Sequence, residues 1–141
     1  MNPAAAVVLA LLQLTQTQHS IVTPRVAIAR LMVSDASMQV ATRRVLLRNL
    51  ARVVFCYEQG LLTSADLHGR VTVAFEVAGD GTVPSAAPVR ARPPMLSVAQ
   101  CIARATQTLM FVSTGASWHV EVEFTLSNPT EPRRHRLNDG R

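Results

Sequence analysis

The chain has 141 residues, 48% of them apolar, and a formal net charge of +5. That is enough for one domain with a real core, and it excludes a wholly disordered chain. All 14 basic residues are arginine, and Arg133, Arg134, Arg136 and Arg141 crowd the C-terminal end. The remainder is therefore close to balanced, and the basic isoelectric point does not by itself indicate nucleic acid.

Residues 4–14, AAAVVLALLQL, form an apolar run. It is shorter than the roughly 20 residues a bilayer span needs, but it has the length of a signal-peptide core. The preceding MNP carries no basic side chain, and no small-x-small cleavage site follows. We read residues 1–20 as a signal-like leader that would also give the chain an association with a membrane. Residues 21–34 read as a linker and short strand, with Val26 and Ile28 of RVAIARLMV on one side.

Ser34 or Asp35 is placed to cap a helix. From about 36 to 60 the pattern is helical, with Leu46, Leu47, Leu50, Val53, Val54 and Tyr57 at three- and four-residue spacing. Arg44, Arg48 and Arg52 recur on another face, which reads as solvated. Gly60 stands where a glycine stop belongs. In 69–91, Val71, Val73, Phe75 and Val77 alternate with Thr72, Ala74, Glu76 and Ala78, the signature of a strand with one buried face. Asp80-Gly81 predicts a tight hairpin turn. Pro84 and Pro88 make the returning strand irregular or place it at a sheet edge.

Ser97-x-x-Gln100 has the form of a capping box. Val98, Cys101, Ile102, Ala105 and Leu109 make one face of a second helix. In the last strand, Trp118, Val120, Val122, Phe124 and Leu126 point one way and His119, Glu121, Glu123 and Thr125 the other. Residues 129–141 read as a disordered basic tail. The faces are all satisfied by an α+β domain over 35–128, with two helices packed on one face of a three-stranded antiparallel sheet.

The two cysteines, Cys56 and Cys101, form no CxxC pair of the thioredoxin type. Zinc needs four ligands, usually in closely spaced pairs, and His19, His68, His119 and His135 are scattered. A cysteine nucleophile needs a histidine base, and only His68 is a candidate partner for Cys56. Two readings remain: a pair of buried thiols, or a disulfide. Facing helices about 8–10 Å apart can bring such cysteines within bridging distance. Closing a loop of about 45 residues would stabilise the fold by roughly 4 kcal/mol and would imply an oxidising compartment. No phosphate loop, GxSxG or paired catalytic carboxylates occur, so we expect no enzyme activity, no metal and no cofactor.

From Arg43 to Leu126, the segments CYEQGLL, LHGRVTVAFEVAGDGTV, the helix bearing Cys101, and VEVEFTL together resemble the C-terminal domain of the AgmX/PglI family. This is a TonB-like C-terminal domain of bacterial envelope and gliding-motility proteins. Its specific parts here are Cys56-Tyr57-Glu58, Gly69-Arg70-Val71, Asp80-Gly81 and Cys101. Where the family has tryptophan and then Phe-Pro, this chain has TLMFVSTG and keeps only Phe111. The resemblance implies a periplasmic or secreted, non-enzymatic module of the transport or motility machinery. Its partner would be a peptide segment of an outer-membrane or periplasmic protein, added as an extra strand. The matching segment is Trp118, His119, Val120, Glu121, Val122, Glu123 and Phe124, expected at the sheet edge. With 4% aromatic residues, base-stacking platforms are absent and no binding of nucleic acid is expected. The competing reading is a cytoplasmic nucleic-acid or anion-binding domain using Arg44, Arg48, Arg52 and the basic tail.

Overall fold

The computed structural model describes residues 24–128. The expected leader and basic tail lie outside the described residues. Four strands and three helices follow one another. They are β1 (Arg25–Val33), α1 (Gln39–Arg48), α2 (Leu50–Thr63), β2 (Gly69–Val77), β3 (Ser85–Val89), α3 (Leu96–Thr106) and β4 (Trp118–Ser127). The class is α+β. The sheet is antiparallel, with order β1-β4-β2-β3.

Two strands form the centre because their alternation is strict. Val71, Val73, Phe75 and Val77 of β2 are buried, as are Trp118, Val120, Val122, Phe124 and Leu126 of β4. The helices cover that face. Leu46, Val53, Cys56 and Tyr57 join Val98, Ala99, Ile102 and Ala103 in the same core. The other face of the sheet stays open to water.

The sheet has four strands rather than three. The short strand expected in RVAIARLMV is present as β1, and it is part of the sheet: it pairs along β4 from Arg25↔Ser127 to Val33↔Val120. A bulge lies between Ile28 and Arg30. Val26 and Ile28 share a parity that Leu31 and Val33 break. The extra residue lets all four lean toward the core.

The long helix is also divided. Asp35 caps a short 3-10 turn at Ala36–Met38 by accepting from the Ser37 N–H at 3.0 Å. At Asn49 the side-chain amide donates to the Val45 carbonyl at 2.8 Å, competing with the helical ladder, and α1 gives way to α2. Gly60 is not a stop. The helix runs on to Thr63, and Gly60 is buried where a Cβ would stand 2.4 Å from Val98 Cγ2. Glycine there lets α2 approach α3. The capping box at Ser97 does not form: α3 starts at Leu96 with no side-chain cap, and Ser97 Oγ donates to Pro94 O at 3.5 Å.

The hairpin turn is where Asp80-Gly81 placed it. Ala78 N–H donates to Thr82 O and Gly81 N–H to Ala78 O, both at 2.8 Å. Gly81 has φ +89° and receives the Phe111 N–H at 2.9 Å. A side chain there would collide with the Phe111 backbone. That contact carries Phe111 against Phe75 and Trp118, with ring centroids 5.9 and 6.0 Å away.

Candidate functional site

Cys56 and Cys101 form a disulfide between α2 and α3, with Cα atoms 5.6 Å apart. This resolves the choice left by the sequence between thiols and a clasp. Cys56 is buried and Cys101 half-buried, each on a helix packed over the sheet. Beside the clasp, the buried Tyr57 hydroxyl donates to the Leu67 carbonyl. Burial pushes its phenol above the ordinary value.

The expected partner-binding segment is not an edge. β4 pairs with β1 on one side and β2 on the other. Of the seven residues, Trp118, Val120, Val122 and Phe124 are core, each at most 3% exposed. Trp118 Nε1 donates to the Thr42 hydroxyl at 3.3 Å, which satisfies a fully buried threonine of α1. His119, Glu121 and Glu123 lie on the open face. His119 N–H donates to Ser34 Oγ at 2.8 Å, and Glu123 accepts from Arg70 at 3.4 Å. An alternating apolar strand is read equally well as central or peripheral. What decided it was β1, whose pairing closes the side that was expected to be open.

Among the described residues the sheet edges are β1 and β3, and they differ. β3 is five residues long and contains Pro88, with Pro84 just before it; neither ring nitrogen can donate. β1 is nine residues, without proline. Ser34 N–H donates to His119 O. Alternation along an antiparallel pair then turns the Met32 backbone toward β4 and the N–H and C=O groups of Leu31 and Val33 away from the sheet. The Leu31 carbonyl accepts from Gln39 Nε2 at 3.2 Å. Among the described residues the Leu31 N–H and the Val33 N–H and C=O face no further strand, and an edge of that kind is the usual template for strand addition.

The open face carries the second feature. Arg30, Arg70, Arg90 and Arg92 surround Glu121 and Glu123 in a trough of about 660 Å³. The register brings them together: Arg30, Glu123 and Thr72 lie in one row, with Met32, Glu121 and Ala74 in the next. By contrast, the recess inside the helical layer, between Leu46, Val53, Leu109 and Phe124, holds about 10 Å³. That is room for one water at most. Among the described residues, no group of three or more His, Cys, Asp or Glu is placed to hold a metal ion. No described helix is long and apolar enough to cross a membrane.

No protein-family model, curated protein or solved structure matches the chain.

Proposed function

We propose that this chain is a non-enzymatic interaction module of the bacterial envelope, periplasmic or secreted, of the TonB-like type that its AgmX/PglI-like segments suggest. It captures an extended partner segment by strand addition at the outer edge of β1. The observation that carries this reading is the asymmetry of the sheet: a proline-free nine-residue strand with no strand on its outer side among the described residues stands opposite an edge shortened and blunted by proline. The clasp between Cys56 and Cys101 supports an oxidising compartment, where such bridges persist.

Strand addition supplies affinity through main-chain hydrogen bonds, and the alternating side chains choose the partner. The Leu31 N–H and the Val33 N–H and C=O would make those bonds, and the Leu31 C=O would join them only by exchanging its bond from Gln39 Nε2. Arg30 and Met32, on the open face, would meet every second residue of the incoming strand.

The test is a panel of overlapping peptides from outer-membrane and periplasmic proteins of the native host. Binders are then mapped by amide exchange. We expect Leu31 and Val33 amides to gain protection in the complex. Leu31→Pro or Val33→Pro, each removing one outward N–H, should abolish binding in protein that keeps its disulfide and cooperative unfolding. Binding that survives both, or protection confined to β3, would overturn the assignment. Intact mass after alkylation of protein from the host checks the compartment. Two alkyl groups should appear only after reduction; two free thiols would place the chain elsewhere.

A further inference from the structure

The outer surface of the helical layer combines two properties that a merely solvated surface does not need. On α1, Val40 and Leu47 are 69% and 49% exposed. Arg43, Arg44 and Arg48 line the same shallow depression. On α2, Phe55 is 57% exposed. Arg52, Phe55, the disulfide and Arg104 of α3 line a second one. The three helices carry five arginines and a single acid, Glu58. The ion pair found among the described residues, Arg70–Glu123, lies on the opposite face of the molecule. Among the described residues the helix arginines thus have no carboxylate partner, and large apolar side chains stand exposed between them.

We propose that this surface docks onto an anionic phospholipid bilayer. A solvated basic helix normally intersperses acids among its arginines. Nucleic acid would engage the arginines but would leave Val40, Leu47 and Phe55 in water. At a lipid interface both are used: the apolar side chains enter the boundary beneath the headgroups, and the guanidinium groups stay level with the phosphates. The surface is also held in shape. Arg52 donates to the Thr108 hydroxyl, linking α2 to the end of α3, and Phe55 precedes the clasped Cys56. Gln39, at the margin of the α1 depression, donates to the Leu31 carbonyl at 3.2 Å, so this surface adjoins the β1 edge.

The experiment is co-sedimentation of the oxidised full-length protein with vesicles of phosphatidylglycerol mixed into phosphatidylcholine, and with phosphatidylcholine alone. Binding should require the anionic lipid and weaken with salt. Each arginine near an anionic surface contributes about fivefold, so Arg44→Gln with Arg48→Gln should reduce partitioning about 25-fold. Phe55→Ser should reduce it about tenfold by removing the inserted ring. These positions are exposed, so unfolding curves should be nearly unchanged. Equal binding to neutral vesicles, or indifference to all three replacements, would give the attachment to the apolar leader and overturn the proposal. So would loss on Arg133→Gln with Arg134→Gln alone, which would give it to the tail. Tighter binding to duplex DNA that ignores Phe55→Ser would make the surface a nucleic-acid interface. A dimer dispersed by Leu47→Ser would assign it to a second copy of the chain. Either result would also overturn the proposal.

Discussion

In the body formed by β2, β4, α2 and α3, every second residue of both strands from Val71 onward is buried, and a disulfide ties the two covering helices. In the N-terminal arm formed by β1 and α1, no strand residue is buried, and Thr42 and Leu46 are the helix's only buried side chains. Yet β1 pairs with β4 over nearly its full length, as β2 does. The arm is therefore held largely by main-chain bonds and half-buried side chains, the body by a dry core. Because protein stability is not uniform, the region with fewer buried contacts should open first.

The widest test of that contrast is a pair of opposed residues. Ile28 of β1 faces Phe124 of β4. Phe124→Ala should cost about 3–5 kcal/mol in urea unfolding, as deep aromatic truncations do. Ile28→Ala, half-buried, should cost about 1–2 kcal/mol on the same scale. Equal losses would mean that arm and body are equally well packed.

Close behind comes the clasp. Cys56→Ser with Cys101→Ser should remove roughly 4 kcal/mol, the entropy of closing a loop of this length. Amide protection should fall across α2 and α3 and along β2 and β4, because the body holds the whole bridge. A loss confined to β1 and α1 would invert the comparison.

A smaller effect should sharpen it from the other side. Trp118→Phe keeps most of the ring but leaves the Thr42 hydroxyl without the donor it accepts from. The expected cost is about 1 kcal/mol. It should appear as faster exchange in α1 rather than in α2 or α3, since Thr42 is one of α1's two anchors.

The smallest effects are on pH. Thr82 donates both its hydroxyl and its N–H to Asp80, which holds that carboxyl below its usual value. A depressed folded-state value means the contribution is complete above the ordinary carboxylate range and is lost as pH falls through the depressed one. Asp80→Asn should therefore flatten the acid side of the stability curve slightly, since the group is exposed. Tyr57 has the opposite sense: its contribution is complete below the ordinary phenol range and is lost as pH climbs through the raised value. Tyr57→Phe should flatten the alkaline side. If either side is unchanged in its variant, that group does not control it.

What was legible in the chain was local and periodic. The alternation in VTVAFEV and WHVEVEF, the Leu46–Val53–Tyr57 stripe, the turn at Asp80-Gly81 and the proline-blunted β3 all follow from spacings within a few residues. The facing of Cys56 and Cys101 followed from two such stripes sharing one side of a sheet. Other features resisted for stated reasons. β1 breaks its parity at a bulge, so half its apolar residues seem to face the wrong way. Gly60 looked like a stop because a helical glycine that admits a neighbouring helix has the same letter as one that ends a helix. Thr42 gave no signal, because its donor lies 76 residues away. Val40 and Phe55 lie off the apolar stripe and are exposed, whereas Leu47 belongs to the expected stripe and is nevertheless 49% exposed, because α1 turns Thr42 and Leu46 to the core instead.

The sequence alone therefore determined which residues turn inward on each central strand, because burial there follows a period that the chain carries locally. It could not determine which strand lies beside which. That depends on pairing between segments roughly a hundred residues apart, where Arg25 meets Ser127. In antiparallel sheets a central and an edge strand can carry the same alternation, since each has one face to bury, and only the main-chain groups differ. Those groups are identical in every residue but proline. Only the assembled sheet decided that β4 is enclosed and β1 is open.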